Sequence, residues 1–485
     1  MVNSRARTCL IGGLVCTLAA CTGGQEPPAP TSRPTQAAPS PPTTEQATPG
    51  AGGIGDAYYP QSGNGGYDAT GYEVSIRYDP ASGRLDGDTT VTARATQALS
   101  RFNLDLRGLT VESVQVGGRR AEFDRSGRHE LVVTPPQPLP RGEPFTVRVR
   151  YHGVPGQSSE DLGGNGWQRT PSGGAFVLGE PHSASYWYPT NDHPRDKATF
   201  RLNAQVPRGW TAVSIGREEG SSTGGGWTTT RWVEPEPVAG YLTTVAIDRF
   251  TVERRTLADG TPVLDAYAPG SEDIRPGAQR VGEIIDFLAT KFGDYPASTT
   301  GGIYLAAEVG YALETQGRPT YDGSADFTTI VHELAHQWYG NEVSVASWAD
   351  ICLNECLASY AEWLWAEGRN GDDLDARYRR AVDELRGDED FWSERLYDMG
   401  AGNEFGGVYD KGPLALHALR RQIGDDAFNR VLREWPAAHA EGNASWPQFE
   451  QFVARIAGQD LRGFFQAWFH ATERPADEYL HPGPL

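Results

Sequence analysis

The stretch VHELAHQW, residues 331–338, decides how the second half of the sequence is interpreted. His332 and His336 are four residues apart, so on an α-helix they project from one face and both imidazoles can bind a single metal ion. Glu333 lies one position beyond the first histidine, where it is suited to act as a general base. The pattern predicts a helix that carries a hydrolytic zinc site.

A catalytic zinc ion takes three protein ligands, so a third ligand is expected nearby. The sequence SWAD, residues 347–350, resembles a capping box, and the apolar stripe after it predicts a second helix that begins at Ser347. Glu355 would lie two turns into that helix, where an antiparallel return brings its carboxylate to the two histidines. Glu355 is therefore predicted to be the third ligand, and Glu362 and Glu367 are assigned to the solvated face of the helix.

The length and charge of the chain limit its class. Its 485 residues are 38% hydrophobic and 22% charged, which suits two or three folded domains with full cores. Lys and Arg number 43 and Asp and Glu number 63, so the formal net charge is −20. A nucleic-acid-binding surface needs clustered cations. Nucleic acid is therefore not expected among the partners.

The N-terminal segment has the composition of an export signal. Within residues 1–20 a short basic start precedes an apolar run that is too short to span a bilayer comfortably. LAAC, residues 18–21, resembles the bacterial lipobox, in which the chain is cut before the cysteine and that cysteine carries the lipid. We expect lipidation at Cys21, a disordered Pro/Thr/Gly linker over 21–57, and a protein exported to the outer face of the cell membrane. The alternative is an ordinary signal peptide with an incidental cysteine.

The spacing of apolar residues changes once along the rest of the chain, from strand-like alternation to helical spacing. Residues 58–255 contain short alternating segments between Gly, Pro and Asp clusters, which predicts an antiparallel β-sandwich-like domain. Examples are 72–77, 89–93, 111–116, 131–133 and 145–151. Apolar residues then follow at helical spacing, first over 271–292, so 256–475 is predicted to be mainly helical, with a tail at 476–485. The fold class is α+β and multidomain.

Cys352 and Cys356 remain after removal of the signal and lipidation. In an oxidising compartment such a pair suggests a disulfide. On a helix, however, Cβ atoms four residues apart are separated by about 5–6 Å, which is wider than a relaxed bridge requires. The sequence leaves the bridged and the free states open.

The sequence resembles the membrane alanyl aminopeptidase (aminopeptidase N) family of zinc exopeptidases, in a short bacterial lipoprotein form. Eighteen residues separate His336 from Glu355, as in the family motif. Gln337–Trp338, Leu353–Glu355 and Tyr409–Gly412 also match family motifs, as does WYPTNDHP at 187–194. The resemblance covers roughly residues 70–475 and implies a thermolysin-like zinc peptidase domain with one Zn²⁺ per chain. It implies peptides with a free N-terminus as substrates.

The resemblance also implies roles for residues outside the zinc motif. YALET, residues 311–315, occupies the place of a family segment whose Glu binds the substrate amine, so Glu314 is expected to bind that amine. Glu180 matches a position where family members have Glu or Gln and is expected to be a second acceptor. Tyr409 is expected to stabilise the charge that develops on the carbonyl oxygen. The site would then lie between the two domains.

These observations together predict a zinc-dependent aminopeptidase that releases N-terminal residues, with Glu333 moving the proton. Two alternatives stay open: a zinc endopeptidase that uses the same metal site, and a catalytically silent cell-surface binding scaffold. Longer family members continue with a large helical domain over the active site. We therefore expect a more open cleft here than in those members.

Overall fold

The computed structural model describes residue 23 and residues 45–158, 164–483 and 485. The predicted signal peptide over 1–20 and the predicted lipidation site Cys21 lie outside these residues. Residues 45–485 form one compact unit. In the part of the chain that the structure describes, no helix is both long and apolar enough to cross a membrane.

Strands build the N-terminal half. They are β1 Thr48–Pro49, β2 Tyr67–Asp79, β3 Arg84–Ala95, β4 Leu99–Asp105, β5 Thr110–Val116, β6 Arg119–Arg120, β7 Glu122–Ser126, β8 Glu130–Thr134, β9 Pro144–Gly153, β10 Gln157–Ser158, β11 Asn165–Arg169, β12 Ala175–Leu178, β13 Lys197–Pro207, β14 Thr211–Ser214, β15 Arg217–Gly224, β16 Trp227–Ala239 and β17 Val245–Asp248. Residues alternate between buried and exposed along β2 and β9, so one face of each strand joins the core. All five segments predicted from alternation lie within strands.

These strands form three sheets. The largest has the order β15-β16-β13-β2-β3-β9-β5-β6, and the other two have the orders β1-β4-β8-β7 and β10-β11-β12-β17-β14. Most pairs are antiparallel, as predicted, but β13 runs parallel to β2 and β1 runs parallel to β4. Trp187 and Trp232 are fully buried in the core of this half. These two aromatic side chains therefore serve packing.

The predicted disordered linker ends earlier than residue 57. β1 pairs with β4, and the buried carboxylate of Asp56 accepts hydrogen bonds from Ser347 Oγ at 2.8 Å and from the backbone N–H of Trp348 at 3.0 Å. His193 Nε2 lies 3.2 Å from the same carboxylate. The composition of this segment did not indicate these contacts, because their partners are distant in sequence. Residues 48–57 belong to the folded unit.

Helices dominate the C-terminal half, in agreement with the predicted fold class. They are α1 Arg275–Ala278, α2 Val281–Phe292, α3 Phe327–Ala335, α4 Glu355–Trp365, α5 Leu374–Glu384, α6 Glu389–Ser393, α7 Lys411–Ile423, α8 Asp425–Ala438, α9 Trp446–Ala457, α10 Arg462–Phe465 and α11 Asp477–Leu480. The strands of this half are β18 Thr251–Thr256, β19 Pro262–Tyr267, β20 Thr300–Tyr304, β21 Thr320–Tyr321, β22 Ser344–Val345 and β23 Asn443–Ala444. β18 to β21 form one sheet in chain order. The predicted domain boundary at residue 255 falls inside β18, which pairs with β19 along its length.

The two halves meet beside α3. Lys197 Nζ, on β13, donates to the carbonyl oxygens of Asn341 at 2.8 Å and Glu342 at 3.0 Å. Arg195 Nε donates to the carbonyl oxygen of Ala346 at 3.1 Å. These bonds fix the turn between α3 and α4 to the β-rich half, so groups from both halves can line one site.

Candidate metal centre and substrate cavity

The helix α3 presents the two histidines as the sequence predicts. Asp326 caps its N-terminus by accepting from the backbone N–H of Thr329 at 2.9 Å, and Thr329 completes a capping box. His332 lies in the last turn of α3, and His336 follows directly with helical backbone angles. Their rings lie 4.8 Å apart, centre to centre, and both side chains are buried.

The second helix begins later than predicted. Residues Trp348–Leu353 form a 3₁₀ helix, and the α-helix α4 starts at Glu355 itself. Ser347 caps the 3₁₀ segment through the backbone N–H of Ala349. Glu355 is therefore the first residue of α4 and does not lie two turns into a helix. Glu355 nevertheless lies beside His332 and His336, as predicted.

The three predicted ligands converge. Glu355 Oε2 lies 3.3 Å from His332 Nε2 and 3.5 Å from His336 Nε2, and one ligand atom from each residue lies within 4.8 Å of the others. Two imidazole nitrogens and one carboxylate oxygen are ligands that zinc prefers in hydrolytic sites, where a fourth position stays free for water or substrate. The donor set therefore suits a catalytic zinc ion.

Hydrogen bonds to the far side of each ring orient the ligands. His332 Nδ1 lies 2.8 Å from Glu362 Oε1, and His336 Nδ1 donates to the carbonyl oxygen of Tyr339 at 2.9 Å. Each Nε2 atom is thereby left to bind a metal. The prediction that Glu362 is a solvated helix acid is wrong. Glu355 and Glu362 are seven residues apart, so two helical turns place them on one face, and that spacing was the available signal.

Charges in this cluster favour a bound cation. The two imidazoles hold the pKa of Glu355 well below its usual range, against the opposing effect of burial. Burial disfavours protonation of His336, but the negative charges of Glu355 and Glu314 raise its pKa to about 9. Zinc binds neutral imidazole, so metal binding must displace protons from these rings.

Glu333 has the environment of a general base. Burial raises its pKa to about 8, against the opposing charges of His332 and His336. Its Oε2 atom is buried and has no hydrogen-bond partner. A carboxylate whose pKa lies near neutrality can accept and release a proton during one turnover.

Glu314 is buried beside the predicted metal ligands. Its Oε1 accepts from the Tyr241 hydroxyl at 3.0 Å, and its carbonyl oxygen accepts from Asn341 Nδ2 at 2.7 Å and from Gln337 Nε2 at 3.3 Å. Gln337 Oε1 also accepts from the backbone N–H of Gly317. Gln337 and Asn341, just after α3, thus fix the segment that carries Glu314. The sequence reasoning did not identify this function of the Gln-Trp motif.

Glu180 reaches the same place from the β-rich half. Its carboxylate, that of Glu314 and that of Glu355 offer oxygens within 4.8 Å of one another. Asn165 Nδ2 donates to the carbonyl oxygen of Glu180 at 3.0 Å. Gly179 has a φ of +144°, and a Cβ there would lie 2.6 Å from the Asn165 side chain. Glycine at 179 therefore permits the contact that fixes Glu180.

Tyr409 lies at the open side of the site. Its side chain is 47% exposed, and its ring centre is 6.0 Å from that of His332. The buried Lys411 Nζ donates to the carbonyl oxygen of Trp392 at 3.1 Å, which anchors the turn after Tyr409. A Cβ on Gly412 would lie 2.7 Å from Cys356 Sγ, so glycine lets α7 pack closely on α4.

One cavity of about 530 Å³ is lined by all seven predicted catalytic, binding and metal residues, His332, Glu333, His336, Glu355, Glu314, Glu180 and Tyr409. Their roles remain predictions. Sequence reasoning did not assign Tyr311 or Phe405 to the site, but both line this cavity. The cavity lies between the two halves of the chain.

Cys352 and Cys356 are disulfide bonded. The objection from helical spacing does not apply, because Cys352 lies in the 3₁₀ segment and Cys356 in α4, with Cα atoms 4.7 Å apart. The bridge encloses Leu353, Asn354 and Glu355. The predicted metal ligand Glu355 is therefore held between two cross-linked residues.

Comparison with known proteins gives matches to both halves. Residues 285–468 match the Peptidase family M1 domain and residues 68–242 match the Peptidase M1 N-terminal domain. A crystal structure of an M1 zinc metallopeptidase from Deinococcus radiodurans is 31% identical, with a TM-score of 0.80 over 89% of this chain and 99% of that one. The chain belongs to peptidase family M1. Zinc is the metal of this M1 site, as the donor set indicates.

Other relatives of this M1 chain carry substrate or activity names. A variant of the Deinococcus radiodurans protein, bound to a Tyr-Ser-Ala substrate, is 30% identical with a TM-score of 0.79, over 87% of this chain and 98% of that one. Aminopeptidase N of Haemonchus contortus is 26% identical over 324 residues, and that of Streptomyces lividans is 25% identical over 317 residues. These matches cover 60% and 58% of this chain, but only 33% and 36% of the relatives. The chain thus spans about a third of the length of these curated relatives.

Proposed function

We propose that this M1 chain is a zinc aminopeptidase that removes residues one at a time from the free N-terminus of peptides. The observation that carries the proposal is the proximity of Glu314 and Glu180 to the ligand Glu355, within 4.8 Å. In any peptide the amine nitrogen and the first carbonyl carbon are about 2.5 Å apart, from standard bond lengths and angles. Consecutive Cα atoms are about 3.8 Å apart, so the second carbonyl carbon lies a full residue further from the amine. An ammonium bound by the two carboxylates leaves the first peptide bond at the metal.

Zinc at His332, His336 and Glu355, one ion per chain, would supply a Lewis acid that polarises the peptide carbonyl and lowers the pKa of water. Glu362 and the carbonyl oxygen of Tyr339 hold the two rings in the tautomer that this requires.

The side chains then divide the remaining work. Glu333 Oε2 accepts a proton from the attacking water and passes it to the nitrogen of the leaving peptide. The Tyr409 hydroxyl donates a hydrogen bond to the carbonyl oxygen as negative charge develops there, a contribution of about 3 kcal/mol for one such donor. Glu314 and Glu180 hold the amine throughout, which excludes internal peptide bonds.

Hydrolysis of aminoacyl amides with free and N-acetylated amines tests the proposal. The zinc-loaded protein should cleave the free amides only, and a chelator or Glu333→Gln should abolish turnover. Equal cleavage of free and acetylated substrates would indicate an endopeptidase at the same site. A binding scaffold would be indicated if the zinc-loaded protein cleaved neither substrate and Glu333→Gln changed no measurable activity.

We further propose export and lipid attachment through Cys21, supported by the basic start, the apolar run and the LAAC sequence at residues 18–21. Peptide substrates would then be met outside the cell. Mass spectrometry of the mature protein should find a lipid on Cys21, and Cys21→Ser should release the protein from membranes. A membrane-free mature protein with an unmodified Cys21 would contradict this.

A further inference from the structure

Among the described residues, one group of metal-binding side chains lies away from the cavity. Asp105, His129 and Glu130 each offer one ligand atom within 4.8 Å of the others, and none of the three lines the cavity. Asp105 ends β4 and Glu130 begins β8, and the two are direct cross-strand partners. Like charges opposite each other destabilise a sheet. The pair therefore needs a proton or a cation between its carboxylates.

The Asp105 carboxylate turns an unpaired oxygen toward this group. Asp105 is 1% exposed, and its Oδ2 accepts from the backbone N–H of Asp192 at 2.8 Å. Its Oδ1 is buried with no hydrogen-bond partner and lies 3.7 Å from His129 Nε2. Glu130 Oε1 lies 3.6 Å from the same nitrogen, and Glu130 Oε2 is also buried without a partner. Buried oxygens without a partner are costly, so these carboxylates are suited to bind a cation.

The two acids receive no such cation from the part of the chain that the structure describes. Their ion-pair contacts there are with the histidine alone. The guanidinium groups of this region donate elsewhere: Arg107 Nε donates to Ser185 Oγ at 3.2 Å, and Arg125 Nη2 donates to the carbonyl oxygen of Leu106. A buried carboxylate pair of this kind is stabilised when a metal ion binds between its oxygens.

A carbonyl oxygen from the N-terminal segment adds a fourth donor. His129 Nε2 lies 2.9 Å from the carbonyl oxygen of Gln61. The same segment approaches again at Gly52, where a Cβ would lie 3.4 Å from Glu130 Oε1. Without a metal, Nε2 donates its proton to the Gln61 oxygen, and metal binding would release that proton to solvent. One imidazole nitrogen, two carboxylate oxygens and one carbonyl oxygen are then available as ligands.

The separations and the types of donor favour zinc. Ligand atoms bound about 2.1 Å from one ion are about 3.0 to 3.4 Å apart in octahedral or tetrahedral geometry. Measured from His129 Nε2, the separations here are 2.9, 3.6 and 3.7 Å, and those of the predicted catalytic ligands are 3.3 and 3.5 Å. Calcium and magnesium prefer oxygen ligands, whereas imidazole suits zinc. Burial lowers the pKa of His129, which favours the neutral ring that zinc binds.

We propose that Asp105, His129, Glu130 and the carbonyl oxygen of Gln61 form a second, structural zinc site that is separate from the catalytic centre. Four protein ligands are typical of structural zinc, whereas catalytic zinc keeps one position free. The ion links the N-terminal segment to β4 and β8. Because Asp56 of the same segment contacts the C-terminal half, the ion fixes a segment that joins both halves of the chain.

The zinc content of the full chain tests this inference. After dialysis against buffered micromolar zinc, mass spectrometry of the metal should find two zinc ions per chain in the parent protein. The catalytic-site variant, with His332→Ala and His336→Ala, should keep one. Adding His129→Gln to that variant should remove the remaining ion and the rise in Tm that zinc gives. His152→Gln is the matched control, because His152 Nδ1 also lies 2.6 Å from a carboxylate, that of the exposed Glu112, and it should keep the ion.

A catalytic-site variant that binds no zinc would overturn the inference, whether or not the His129→Gln protein folds. Retention of the ion after His129→Gln would also overturn it, because the ion would then lie elsewhere. Asp105→Asn is the second test variant, since the amide keeps an oxygen for the Asp192 N–H but loses the charge, and it should weaken zinc binding at least about tenfold. Two zinc ions in a parent protein that hydrolyses no amide would support this site and reject the aminopeptidase proposal, so the two proposals can fail separately.

Discussion

Glu362 offers a sharp test of how the metal centre is held. Replacement of Glu362 by alanine removes the acceptor 2.8 Å from His332 Nδ1, while all three ligands remain. The ring of His332 then loses the contact that fixes its tautomer and orientation. We expect zinc affinity to fall about 10- to 100-fold, the usual effect of removing such an outer partner.

The burial of the His332–Glu362 hydrogen bond affects how much zinc affinity is lost. The His332 side chain is 10% accessible and that of Glu362 is 27% accessible, so the bond is partly shielded and water replaces it imperfectly. A loss nearer 10-fold is expected for Glu362→Gln, because the amide keeps an acceptor oxygen but loses the charge.

Competition for zinc with a chromophoric chelator measures both variants. Glu367→Ala is the matched control, because Glu367 also follows the ligand Glu355 in the chain but pairs with Arg420 at 3.0 Å. It should bind zinc as the parent protein does. If Glu362→Ala and Glu367→Ala bind zinc equally, Glu362 does not orient the ligand and the description of the centre is wrong.

Three further predictions address the rest of the site. Tyr409→Phe should lower kcat about 10²- to 10³-fold with little change in zinc content, the usual cost of one oxyanion donor, and an unchanged kcat would exclude Tyr409 from charge stabilisation. Because the pKa of His336 is about 9, its proton is bound below that pH and must leave when zinc binds. Below pH 9, each proton that zinc displaces should lower the zinc affinity about tenfold for every pH unit of acidification. A zinc affinity that does not change with pH in the same competition assay would contradict this. The double variant Cys352→Ser, Cys356→Ser should have a free energy of unfolding about 2 kcal/mol lower, because the bridge closes a short loop and restricts the unfolded chain. Denaturant unfolding measures this difference, and equal stabilities would show that the bridge does not constrain the unfolded chain.

The proximity of the three predicted metal ligands could be predicted, because helix periodicity and one return of the chain bring them together. Two histidines one turn apart share a face, and a short turn returns the chain to them, so His332, His336 and Glu355 could be named from spacing. The exact start of α4 could not be predicted, because a 3₁₀ segment satisfies the same capping and apolar pattern as an α-helix. The same 3₁₀ segment explains why Cys352 and Cys356 can form a disulfide, since they do not lie on one α-helix.

The groups around the substrate were less accessible to sequence reasoning. Glu180, Glu314 and Tyr409 come from distant parts of the chain, and only the family resemblance suggested that they meet. Tyr241, which donates to Glu314 from the β-rich half, carried no local signal. The buried Asp56 shows the same limit, since its partners His193 and Ser347 are more than a hundred residues away.

The order in which a peptide is shortened tests the central claim most directly. A ten-residue peptide with a free amine, and its N-acetylated form, are incubated with the zinc-loaded protein and followed by mass spectrometry. The account predicts successive loss of single N-terminal residues from the free peptide and no change in the acetylated one, because Glu314 and Glu180 must hold an ammonium. Internal cleavage of the acetylated peptide would contradict it.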